Sequence, residues 1–345
     1  MKHFKHVFIL LLAILTINGC KKESANLTPS NIKVSTEIST DGSGNVSFTA
    51  TADNAVTYDF DFGDGIVNQG TTGATTFKFA VGGTYTYDVT VTAYGSTRLS
   101  VKKTIQVTVT VTGEQGLFWS DEFNTDGAPD PLKWGYDIGT GSGGWGNSEL
   151  EYYTNQASNA FIKDGILKIA AVKESISGSQ YTSARLLTMN KFSFKYGKVV
   201  FRAKLPSKVG TWPALWLLGS NISDAGWPAC GEMDVMEHRG SELNKIFGTL
   251  HYPGRSGGSA NGNTVMIQNA STEFHTYRID WSSALINIYV DDQLFHTVSN
   301  SSDIPFNHDF FIIMNFAMGG TFGGTIDPAF TSDTLQVDYV KVYKQ

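Results

Sequence analysis

Apolar side chains recur at every second position along much of this chain. Tyr85, Tyr87, Val89 and Val91 alternate with Thr and Asp, and Ile105, Val107, Val109 and Val111 alternate with Gln and Thr. A period of two puts one face of a strand on a core and the other in water. No long stretch carries the 3.6-residue period of a helix, so the chain reads as all-β. The run Phe310-Phe311-Ile312-Ile313-Met314 is apolar on both faces, which suits an inner strand of a two-sheet stack. At 345 residues, with 41% hydrophobic and 17% charged residues, there is enough chain for one large sandwich and a smaller one beside it, and too much apolar content for disorder. The formal charge of −6 argues against nucleic acid as a partner.

The first residues read as a processing signal. Lys2 and Lys5 precede an apolar run from Val7 to Ile17, which is shorter than the ~20 residues a bilayer span needs. The sequence Ile17-Asn18-Gly19-Cys20 resembles a bacterial lipoprotein cleavage box. That resemblance implies removal of residues 1–19, a lipid on Cys20 and a polar tether over residues 20–30. The protein is then exported and anchored to a bacterial membrane or cell surface by its lipid; plain secretion is the alternative. Cys230 is the one other cysteine. With Cys20 acylated it has no disulfide partner and is expected as a buried thiol.

Residues 31–111 show short alternating strands separated by turn clusters such as Asp41-Gly42-Ser43-Gly44 and Gly82-Gly83, the pattern of a small β-sandwich. Within them, Tyr58-Asp59-Phe60-Asp61-Phe62-Gly63-Asp64-Gly65 resembles the hallmark run of polycystic-kidney-disease (PKD) domains, which are immunoglobulin-like. Phe60 and Phe62 are expected in the core, with the acids serving the turn. Such domains act as spacers or interaction modules.

Gly113-Glu114-Gln115-Gly116 reads as a linker, and all seven Trp follow it. In this second part, residues 112–345, lies Gly231-Glu232-Met233-Asp234-Val235-Met236-Glu237-His238. Glu232 and Asp234 share a strand face. Glu237, five positions from Glu232, points the other way in a regular strand. One extra residue in a β-bulge near Val235-Met236 restores the parity and brings three carboxylates to one face, with Met233 and Val235 turned to the core. Strands disfavour acids, and like charges on one face repel. The arrangement suits catalysis in which one carboxyl must hold a proton near neutral pH. A solvated acidic strand or a calcium site has the same spacing.

The surrounding residues carry a closer resemblance. Trp227-Pro228-Ala229-Cys230-Gly231-Glu232-Met233-Asp234-Val235-Met236-Glu237 is similar to the bulged signature of glycoside hydrolase family 16. The segments Gly144 to Tyr153, Thr182 to Leu186, Trp212 to Trp216, Gly248 to Tyr252, Asn315 to Gly320 and Val337 to Tyr343 follow in that family's order. The resemblance implies a concanavalin-like β-jelly-roll catalytic domain. It implies Glu232 as nucleophile, Glu237 as general acid/base and Asp234 between them, in a retaining double displacement. Trp212 and Trp216 would stack on sugar faces, while Arg185, Asn147, Glu149 and His251 would contact sugar hydroxyls. No cofactor is implied for catalysis. A structural calcium is implied at Glu122, the carbonyl of Gly165 and Asp338.

Within the family the motif most resembles the laminarinases, endo-acting on β-1,3-glucans. Mixed-linkage glucan, or an agar- or carrageenan-type galactan, is the alternative substrate, and the sulfated galactans would favour more cleft arginines. A non-catalytic carbohydrate-binding lipoprotein is the alternative of another kind. The partners expected are a polysaccharide and, through the lipid, a membrane; the protein is expected as a monomer. One departure stands out. Phe322-Gly323 follows Gly319-Gly320 where many relatives carry Trp-Pro, so one end of the cleft is expected to differ.

Overall fold

The computed structural model describes residues 27–63 and 66–344; Cys20, Asp64 and Gly65 lie outside them. Two compact units emerge, one of residues up to Phe79 together with Tyr85–Val109, the other of Ala80–Thr84 and the chain from Thr110.

In the first unit, Asn45–Asp53 pairs with Ser30–Ile38 and Ala74–Lys78, and a second sheet runs Val67–Thr71, Thr57–Asp61, Gly83–Tyr94, Ser100–Val111. The alternation translates directly into burial. Val89, Val91, Val107 and Val109 are buried, as are Phe60 and Phe62. The acids between them serve the backbone: Asp61 accepts the Gly63 N–H at 3.1 Å and Asp59 the Gly70 N–H at 2.8 Å, the local chemistry that favours Asp in turns.

The second unit is a two-sheet sandwich, with ten and seven strands among the described residues. The larger sheet contributes Phe201, Ile279, Ile288 and Val340 to the core; the smaller contributes Leu215, Met233, Ile312 and Met314. Burying side chains of this size stabilises the fold by roughly 1.5–3 kcal/mol each. The smaller sheet positions the site. Its antiparallel order is Asn261–Met266, Lys245–His251, Glu232–Glu237, Thr211–Gly219, Phe310–Met318, Arg185–Leu187, Gly135–Asp137.

Thr211–Gly219 and Phe310–Met318 are buried at every position. The centre of this sheet is apolar on both faces. Leu215, Leu217, Ile312 and Met314 pack between the sheets. On the opposite face Ala214, Trp216, Leu218, Phe311, Ile313 and the unpaired thiol of Cys230 form a second apolar layer. Burial raises the Cys230 thiol to about 11, so it packs as a neutral side chain.

Candidate active site

Glu232–Glu237 lies between Thr211–Gly219 and Lys245–His251. Along one neighbour, Glu232 stands opposite Leu218, Asp234 opposite Trp216 and Glu237 opposite Ala214. Along the other, the register passes from Asp234↔Thr249 to Glu237↔Phe247, so Val235 and Met236 together face Gly248. This is the bulge that the odd spacing of the acids requires. Val235 and Met236 are both wholly buried in the core with Met233, and the three carboxylates emerge on the other face. Gly231 immediately precedes the strand at φ +75°, and a Cβ there would meet the Pro305 carbonyl at 2.7 Å. Only glycine enters the strand by this path.

All the catalytic and sugar-binding residues expected from the sequence border one cleft of about 450 Å³. Trp212 Nε1 donates to Glu237 Oε1 at 3.0 Å, and the Thr249 hydroxyl lies 3.5 Å from Glu237 Oε2. Trp216 Nε1 donates to Asn315 Oδ1 at 2.8 Å. Arg185 is paired with Asp137 at 3.0 Å, and its guanidinium lies over the rings of Trp145 and Trp216 at 4.6 and 4.9 Å. Asn147 Nδ2 donates to Glu149 Oε1 at 3.1 Å.

Two tryptophans join the site that the sequence reading did not select. Trp227 Nε1 donates to Glu232 Oε2 at 3.1 Å, and Trp145 borders the same cleft. A signal existed for both. Trp227 sits in the run that leads to Glu232, and Trp145 stands between Gly144 and Gly146 in a loop of left-handed residues. The Phe322 departure also has a place. Its ring packs 5.1 Å from Trp212 and 4.9 Å from Phe247, with the Arg239 guanidinium 5.1 Å from each phenyl ring. It therefore shapes the Trp212 end of the cleft.

Burial dominates the electrostatics. It pushes Asp234 up to about 8. Burial and then the Asp234 charge push Glu232 up to about 8, against the opposing pull of His251 and Arg185. Burial and then Asp234 also raise Glu237 to about 8, against the N–H of Trp212. Three acids so placed cannot all be charged at neutral pH, and they hold and lose protons as a group.

Glu232, Asp234 and His251 bring three metal-ligating atoms within 4.8 Å of one another, but the His251 tautomer opposes a metal. Its Nδ1 accepts the Gly257 N–H at 3.1 Å. The ring proton of the neutral side chain is therefore on Nε2, which lies 3.2 Å from Asp234 Oδ2 and 3.7 Å from Glu232 Oε1. A nitrogen carrying a proton offers no lone pair to a cation. His251 instead presents an N–H to the carboxylates.

The calcium set expected on the other sheet meets a different obstacle. Glu122 Oε1 is 3.0 Å from Lys341 Nζ, and Asp338 is paired with Arg202. Gly165 occupies the turn between Ala160–Lys163 and Ile166–Val172. Each carboxylate is engaged by a side-chain cation here, so calcium at this position would have to displace Lys341 and Arg202. The sequence could not show this, because both cations arrive from neighbouring strands.

The model of glycosyl hydrolases family 16 matches residues 147–341. A beta-glucanase of Rhodothermus marinus is 42% identical over 244 residues, covering 66% of this chain and 85% of the relative. A glucan endo-1,3-beta-glucosidase of Cryptopygus antarcticus is 38% identical over 250 residues, covering 65% and 90%. Among solved structures, the laminarinase catalytic domain of Thermotoga maritima superposes with a TM-score of 0.63 at 43% identity, covering 66% of this chain and 98% of that one.

Proposed function

The chain belongs to glycosyl hydrolase family 16, and from that premise we propose that it cleaves β-1,3-glucan internally with retention of configuration at the anomeric carbon. The observation that carries this reading is the bulged strand, which presents Glu232, Asp234 and Glu237 together in a cleft lined by tryptophans. Glu232 attacks the anomeric carbon while the Glu237 carboxyl protonates the leaving oxygen. The ionised Glu237 then takes a proton from water, which releases the glycosyl-enzyme. Trp227 holds the nucleophile with its N–H and Trp212 holds the acid/base with its own, while His251 faces Asp234. Asp234, between them, biases where the shared protons reside. The indole faces of Trp212 and Trp216 stack on sugar rings. No organic cofactor enters these steps.

A neutral glucan fits the charge of the cleft. Among the described residues bordering it, Arg185 is the one arginine or lysine, and Asp137 already neutralises it. A sulfated galactan would find no free cation there. The full chain is therefore expected to leave carrageenan intact and, as a β-1,3-glucanase, to release short β-1,3-oligosaccharides from laminarin and spare the uncharged galactan agarose. Chromatography of the products decides this. Cleavage of a galactan alone would keep the mechanism and overturn the substrate; glucan binding with no cleavage would favour a binding protein.

We further infer a lipid anchor at Cys20, with the PKD-like residues 31–111 as a spacer between membrane and enzyme. The wild type is expected in the membrane fraction and Cys20→Ala in the soluble one. Equal partitioning of the two would remove the anchor from this reading.

A further inference from the structure

Glu151 takes no part in the chemistry above, yet its side chain is wholly buried beside Glu149, which borders the cleft. Its Oε2 accepts the Met318 N–H at 2.6 Å. Its Oε1 is buried without a donor. The two carboxyls lie in side-chain hydrogen-bonding contact. Glu149 is otherwise supplied: Oε1 accepts from Asn147 and Oε2 accepts the Tyr153 O–H at 2.9 Å.

Two ionised carboxylates cannot abut in a dry pocket. They repel, and no hydrogen lies between them. One proton resolves both problems. Hydrogen-bond accounting places it on Glu151. Glu149 has two donors that favour its anion, whereas Glu151 has one donor and an orphaned oxygen. Burial first, and then the charge of Glu149, hold the Glu151 carboxyl well above the usual carboxylate range. Arg185, whose charge reaches Tyr153, is committed to Asp137.

The bonds continue in one sense from there. Tyr153 donates its proton to Glu149, so its oxygen accepts from Asn315 Nδ2 at 3.0 Å. That fixes the amide of Asn315 with Oδ1 towards Trp216 Nε1, at 2.8 Å. The path ends at an indole on the floor of the cleft.

We propose that Glu151 is a positioning residue that keeps its proton: its O–H donates to Glu149, and this bond, through Tyr153 and Asn315, fixes Trp216 for the glucan. The kinetic part rests on the function proposed above; the protonation state does not.

Two variants of the full chain test it. In Glu151→Gln the amide N–H donates to Glu149 and the amide oxygen accepts from Met318. This variant is expected to keep KM and kcat on laminarin within about twofold. Glu151→Met has a similar volume but removes the O–H that Glu149 accepts and leaves the Met318 N–H unpartnered. Its KM is expected to rise about tenfold, with kcat changed less. Infrared difference spectra at neutral pH should show that Glu151→Gln loses one carboxylic-acid C=O band and no carboxylate band. Loss of a carboxylate band, or a Gln variant as impaired as the Met variant, would each overturn the proposal. Should the Met variant not fold, the Gln variant and its spectrum still decide. An acid band in a protein without activity on laminarin would count against the proposed function and leave the protonation of Glu151 standing.

Discussion

Glu232→Gln is expected to lower kcat on laminarin by about 10⁴-fold or more, with the fold and glucan binding retained. Glutamine is nearly isosteric, and its amide oxygen can still accept the Trp227 N–H that now reaches Glu232 at 3.1 Å. What disappears is the oxygen nucleophile, so no glycosyl-enzyme can form. Glu237→Ala fails differently. On laminarin it also loses most activity, because the sugar leaving group departs only when protonated. On an aryl β-glucoside with an acidic phenol the first step needs no proton, so the glycosyl-enzyme forms and accumulates. Added azide then releases it as a β-glycosyl azide, with retained configuration. Azide is not expected to give that product with the Glu232 variant. Mass spectrometry of the accumulated adduct, and NMR of the azide product, separate the two roles. If the Glu237 variant yields an azide of inverted configuration, or the Glu232 variant accumulates the adduct, the assignment of nucleophile and acid/base is reversed.

The strand that carries these acids was legible because the chemistry and the period of a strand disagree there. Three acids at relative positions 0, 2 and 5 share one face only if a residue is spent in a bulge, and Val235 and Met236 are both apolar enough to be buried at it. The long strands were legible for a simpler reason, since their period runs for several residues. The three-residue strands Glu151–Tyr153, Tyr181–Ser183 and Arg185–Leu187 are too short to show a period, and tertiary pairing alone creates them. The site's outer partners were hidden for the same reason. Trp227 returns to Glu232 from a loop, and its N–H leaves no trace in spacing. The His251 tautomer is set by a backbone N–H at Gly257, which any residue but proline would supply. Glu122 and Asp338 look like calcium ligands by position, and only the folded sheets bring Lys341 and Arg202 to them. Residue identity carries the chemistry of a side chain; which protons and charges face it depends on strands far away in sequence.

Asp234→Asn is expected to stabilise the protein at pH 8 and to destroy part of its activity, and the sign follows from the buried acids. Asp234, Glu232 and Glu237 ordinarily titrate near 3.8, 4.5 and 4.5, and the fold raises each to about 8. Between those values the folded chain binds more protons than the unfolded one. Stability therefore falls as pH rises from about 4 to about 8; the penalty is absent below that window and complete above it. The Asn variant carries one fewer buried charge. Its Tm is expected to exceed the wild type's by about 5 °C or more at pH 8 and to match it near pH 4. The same charge helps to raise Glu237, so its removal lowers the pH at which the acid/base loses its proton. The alkaline limb of kcat/KM should then move to lower pH, while the maximal rate drops because the proton is no longer biased towards Glu237. Scans of Tm and kcat/KM against pH on both proteins check the two halves together. A Tm gain equal at pH 4 and pH 8 would mean that packing, and not charge, separates the variants. An alkaline limb that stays in place would mean that the Asp234 charge does not govern the proton on Glu237.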